Sequence, residues 1–139
     1  MNSYSDSDKI QFEKVFGYKN SRHFSQGLKI LKLLENRLKD DKIIIGLMAT
    51  LYFEKKKYVY SAKYFRKSTI LNPNSEVSSL GLFHSLIHLG KFSLAIKELK
   101  RFTTLNKYKL YKTTIKELKK NIANFNIKEQ KLIKDIIVK

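Results

Sequence analysis

Two histidines four residues apart come nearest, by type and spacing, to carrying chemistry in this sequence. His84 and His88 stand at i and i+4, one helical turn apart, a separation at which two imidazoles can share a metal ion. The residues between them are Ser85, Leu86 and Ile87, no carboxylate lies nearby in sequence, and the HExxH pattern is absent. With no Cys in the chain, disulfides and thiolate-ligated metals are excluded. No glycine loop that cradles phosphate, no pair of catalytic carboxylates and no serine nucleophile elbow occurs. The sequence therefore predicts no enzyme and no cofactor. His84 and His88 read as ordinary polar groups on a surface, and His23 as a partly exposed residue beside a turn.

What must position these groups is a set of helical stripes. Ile45, Met48, Ala49 and Tyr52 fall at i, i+3, i+4 and i+7. Tyr58, Ser61, Phe65 and Ser68 keep helical spacing after a Lys55-Lys56-Lys57 turn, and Leu71-Asn72-Pro73 closes the unit. The small residues at 49 and 61 predict close approach of two helices within a hairpin, and Ser68 predicts docking of the next hairpin. A shift of 34 residues pairs Tyr58 with Phe92 and Phe24, Ser61 with Ala95 and Gly27, Phe65 with Leu99 and Leu31, and Asn72 with Asn106. The pattern Ile45-x2-Met48-Ala49-x2-Tyr52, Ser61-x3-Phe65, Pro73 resembles the tetratricopeptide repeat, a paired-helix unit with this frame. The resemblance spans roughly residues 8 to 109 and is carried in the first unit mainly by the second helix.

The resemblance implies an all-α chain of antiparallel helix hairpins, about 8–41, 42–75 and 76–109, stacked as a right-handed TPR-like solenoid in one domain of residues 1–139. A stack of this kind exposes an apolar flank at its end, which terminal helices with a polar outer face cover. Residues 110–139 suit that task. Leu110, Tyr111, Ile115, Leu118 and Ile122 form one stripe, and Asn126 with Glu129 is a capping pair before Ile127, Leu132, Ile133, Ile136 and Ile137. In order along the chain, helices are expected over about 7–18, from Phe24 toward Asp40, within Lys42–Pro73 as a pair, over about 75–89 and over about 92–106. Gly90 makes the third intra-hairpin turn. Phe83 and Phe102 stand where the repeat family prefers small side chains, so the packing that follows them should widen or tilt.

In the family, the first helix of each unit lines the inner surface at fixed positions. Carried onto this sequence, these give Phe12 and Phe16, then Ile43, Thr50 and Phe53, then Val77, Leu80, His84, Ile87 and His88 as a partner-binding groove, with Lys55, Lys56 and Lys57 as its basic rim. Some relatives grip a carboxylate terminus with Lys and Asn at positions that are Phe12 and Phe16 here, which disfavours that ligand. An apolar groove suits an amphipathic helix or an extended apolar segment.

The formal charge is +17, from 29 basic and 12 acidic residues, and the excess is spread along every segment. Lys outnumbers Arg heavily, and the chain is also rich in Ile and Asn, as AT-rich coding DNA would give. Nucleic-acid binders more often concentrate charge and use Arg for bidentate contacts, so a nucleic-acid-associated role ranks third. An acidic protein partner suits the charge better. The start, MNSYSDSDK, has no apolar run behind it, and the chain has no membrane-spanning stretch, so membrane insertion is disfavoured and a cytoplasmic location is expected. The expected function is a non-enzymatic scaffold or adaptor that binds a protein. A small secretion chaperone of the type III or flagellar kind is the alternative, although that class is usually acidic. Nothing in the sequence sets an oligomeric state.

Overall fold

A computed structural model describes residues 3 to 138. Among these the chain is all-α, with helices α1 (Asp6–Asn20), α2 (Phe24–Arg37), α3 (Lys42–Glu54), α4 (Tyr58–Leu71), α5 (Glu76–His88), α6 (Phe92–Leu105), α7 (Tyr111–Lys120) and α8 (Ile127–Ile137). A 3₁₀ turn (Ile122–Asn124) separates the last two. No described helix is long and apolar enough to cross a membrane. Lys139, the end of the expected terminal cap, lies outside the described residues.

Short polar side chains start α1, α3, α5 and α8 by satisfying their opening amides. Ser5 and Asp8 form a capping box on α1, in which Asp8 N donates to Ser5 Oγ at 3.1 Å and Ser5 N to Asp8 Oδ2 at 2.8 Å. Asp41 Oδ1 accepts from Ile43 N and Ile44 N ahead of α3, while Tyr4 donates to its other oxygen at 2.7 Å. Ser75 caps α5. Asp8 also takes the Arg37 guanidinium, which joins α1 to the end of α2.

The turns inside the first three hairpins are one structure built three times. Arg22, Lys56 and Gly90 hold left-handed φ values of 62°, 60° and 73° and follow one another at the 34-residue interval. After each, an amide reaches back to the first helix: His23 N to Tyr18 O, Lys57 N to Tyr52 O and Lys91 N to Leu86 O. Arg22, Lys56 and Gly90 donate to Lys19, Phe53 and Ile87. This is the Schellman arrangement, which satisfies the last carbonyls of a helix. Gly90 was legible as a turn residue; Arg22 and Lys56 accept the same conformation although they carry a Cβ.

Consecutive helices pack against one another from α1 to α6, and α3 and α5 also lie side by side. The core is continuous, from Val15 and Leu31 through Met48, Leu51 and Leu82 to Leu99, Phe102 and Ile133. Ala49 and Ser61 are fully buried as expected of small residues, but Ser61 faces the next hairpin, its Oγ 2.8 Å from Ser85 Oγ on α5. Ser68 meets Ser78 Oγ at 2.6 Å on the same helix. α4 also approaches α5 closely at Gly81, where a Cβ would lie 2.4 Å from the Phe65 ring.

Phe83 and Phe102 meet a single aromatic residue at the C-terminal end. Both rings pack on Tyr111, with centroids 6.0 and 5.8 Å away. The backbone of α8 lies along α6, and α7 reaches the hairpin through side chains and approaches α8. The Tyr111 hydroxyl is buried with Ser79 Oγ at 2.7 Å, and Ser79 donates to Glu98 Oε2 at 2.6 Å. Since Ser79 has a single hydroxyl proton, Tyr111 is the donor to Ser79. Glu98 in turn holds Arg101 with two hydrogen bonds, closing a satisfied network at the junction.

Candidate partner-binding surface

The ten residues expected to line a groove divide into three groups. Phe12 is a correction: it is only 8% exposed, with its ring edge-on to Tyr4 at 5.1 Å, and so contributes to the core instead of presenting a surface. Phe16 on α1, Ile43 on α3 and Val77 on α5 are 45%, 47% and 66% exposed. These three are large apolar side chains left in water at the starts or middle of first helices. Thr50, Phe53, Leu80, His84 and Ile87 are half-buried between these extremes, and His88 is exposed.

Within the half-buried set the structure joins α3 to α5 through rings. Phe53 meets His88 edge-on at 5.7 Å, and His88 lies face to face on Tyr58 at 4.1 Å. Phe53 also touches the Tyr58 and Phe65 rings, so it is partly a packing residue. Thr50 Oγ1 donates to Gly46 O, one turn back on its own helix. Lys55 Nζ donates to Ser25 Oγ at 2.9 Å, and Lys56 and Lys57 are exposed at the same turn.

His84 and Ile87 face elsewhere, into a cavity of about 200 Å³ between α5 and α7. Its apolar walls include Phe83, Phe92, Leu118 and Phe125, and its polar edge holds Thr114, Glu117 and Asn121. A dry cavity of ~150 Å³ accepts a benzene ring, so this one has room for a single aromatic or leucine side chain. Burial first, and the neighbouring His88 second, lower the His84 pKa, partly opposed by Glu117. His84 is therefore neutral at pH 7, with one ring nitrogen to donate and one to accept.

The α7 wall was missed in the sequence, although the 34-residue shift carries Leu80, His84 and Ile87 onto Thr114, Leu118 and Asn121. That signal was present, but the polar residues among them hid it. Glu76 holds the wall in place. Its carboxylate accepts from Lys109 N at 3.0 Å and from Tyr111 N at 2.8 Å, at the opening of α7. Burial alone would raise the Glu76 pKa, but the backbone donors of Lys109, Tyr111 and Leu110 outweigh it and the net shift is below 4.5. A depressed carboxyl pKa stabilises the fold fully above the unfolded value, and that contribution is lost as pH falls through the folded value. The gap in thermal midpoint between the natural protein and Glu76→Gln should thus be widest above pH 4.5 and shrink in more acid solution. A gap that does not change with pH would contradict this anchoring role.

The fold and these surfaces define an all-α chain with apolar side chains left open on most of its helices, Phe16, Ile43 and Val77 among them, and a side-chain-sized cavity between α5 and α7. In comparisons with protein-family models and with curated proteins, nothing matches the chain.

Proposed function

We propose that this chain is a non-enzymatic protein-binding module, a cytoplasmic scaffold or adaptor built as a right-handed TPR-like solenoid of three hairpins with a C-terminal cap. Its concave face takes a partner helix or an extended apolar segment. Three identical turns at one 34-residue interval support the repeat reading, because a common frame gives each hairpin the same entry into its second helix. The observation that carries the binding reading is the exposure of Phe16, Ile43 and Val77 on first helices. Phe53 and Leu80 are half-open on α3 and α5, and the cavity against α7, which Ile87 lines, supplies a pocket for one anchor side chain.

The reading is tested with amphipathic helical peptides selected from a displayed library against the intact chain. Val77→Asp and Ile43→Asp place a carboxylate at the second position of α5 and α3, where a helix N-terminus tolerates negative charge, so folding should survive. Affinity should fall about thirtyfold, the loss of a hot-spot contact of ~2 kcal/mol. Changing Lys55, Lys56 and Lys57 to Gln should instead slow association and flatten its salt dependence. Peptides that ignore both Asp variants and depend wholly on the three lysines would move the interface away from the apolar face.

A further inference from the structure

Lysines distant in sequence converge between α6 and α8. Lys97 and Lys100 on α6 and Lys128 and Lys131 on α8 line a cleft of about 470 Å³, with Leu132 and Asp135 among its other walls. Two interactions fix its width. Ser93 Oγ on α6 donates to Glu129 Oε2 on α8 at 2.8 Å, and Lys100 Nζ pairs with Asp135 at 3.4 Å. Ser93, Lys97 and Lys100 fall at i, i+4 and i+7, and Lys128, Lys131 and Asp135 at i, i+3 and i+7, so the two helices face each other across about two turns. Lys97, Lys128 and Lys131 belong to none of the ion pairs among the described residues. A second cleft shares Lys97 and Lys100 and continues to Leu105.

We propose that this α6–α8 cleft is a docking site for an acidic polypeptide segment that carries leucine-like side chains between its carboxylates. The charges are complementary to such a segment: among the described residues four ammonium groups meet one lining carboxylate, and that carboxylate is already held by Lys100. Ammonium groups on flexible stems meet single carboxylates without the fixed fork that bidentate phosphate recognition uses. The one guanidinium nearby, Arg101, is held by Glu98 and the Pro73 carbonyl. No aromatic ring lines either cleft, whereas single-stranded nucleic acid is held by base stacking as well as by charge. Leu132 and Leu105 offer apolar contact instead.

The probe is a fluorescently labelled peptide of repeated Leu-Glu-Glu, titrated with the full chain at constant ionic strength. Lys97→Glu with Lys131→Glu should weaken it by about tenfold or more, since two favourable pairs become two repulsions. Lys14→Glu with Lys39→Glu changes the net charge equally at exposed positions outside the cleft and should cost less than about twofold, as expected of screened, distant charge. Lys97→Gln with Lys131→Gln, monitored for helicity, repeats the test without new negative charge. Val77→Asp should leave this peptide's affinity unchanged, which separates the cleft from the proposed groove. Equal weakening by the two Glu pairs would overturn the site in favour of a diffuse positive field. Tighter binding of polyuridylate or of phosphatidylserine vesicles than of the peptide, lost in the Lys97/Lys131 variants, would overturn the choice of partner.

Discussion

Replacing Gly81 by Ala is expected to destabilise the protein by about 2 kcal/mol, because overpacking a closed interface outweighs the ~1 kcal/mol that Ala gains over Gly in a helix. A Cβ at this position would lie 2.4, 2.5 and 2.6 Å from three atoms of the Phe65 ring, and Phe65 is buried. A buried ring must shift against its neighbours to relieve that overlap. For a chain of this length the thermal midpoint should fall by roughly 6–10 °C. Gly46 provides the contrast, since a Cβ there meets nothing within 4 Å, and Gly46→Ala should raise stability by up to ~1 kcal/mol. Phe65→Leu in the Gly81→Ala background should recover part of the loss, giving a coupling that a double-mutant cycle measures. If both Ala variants stabilise alike, α4 and α5 do not meet as described.

Removing residues 111 to 139 should have the larger effect, abolishing a cooperative thermal transition and producing aggregation. The deletion takes away Tyr111, Leu118, Ile133 and Ile136, all buried. At ~1.5–3 kcal/mol for each fully buried large side chain, the loss rivals the ~5–15 kcal/mol total stability of a typical domain. It also uncovers Phe83 and Phe102 and leaves Ser79 without the Tyr111 hydroxyl. An exposed apolar patch of that kind promotes association. A soluble truncated chain with an unchanged midpoint would show that α7 and α8 do not cap the stack.

The hairpins were legible in the sequence because turn chemistry and stripe spacing agree with each other: Tyr58, Phe24 and Phe92 each open a second helix. Asn126 could be read as a cap for the same reason, since the acceptor and the amide it serves are three residues apart. Contacts between helices were not legible. Gly81 was one glycine among five until Phe65 was placed against it. Phe12 shares its type and helix with Phe16, and it is packing in the core, with the Tyr4 ring from the segment before α1 against it, that covers Phe12. The Lys97 and Lys131 cleft was hidden because a charge excess that is even along the chain is not even in space once α8 folds back on α6. Phe83 and Phe102 stood out in the sequence by their bulk, but nothing there said that Tyr111 would pack against both rings.

Methyl NMR during titration with a library-selected amphipathic peptide shows whether first helices present the binding face. Shifts are predicted for the methyls of Ile43 and Val77, which are exposed, of Leu80, which is half-buried, and of Ile87 and Leu118, which line the cavity. Leu33, Ile70 and Leu105, exposed on α2, α4 and α6, provide the opposing set. Perturbation of that second set, with the first unchanged at saturation, would contradict the account.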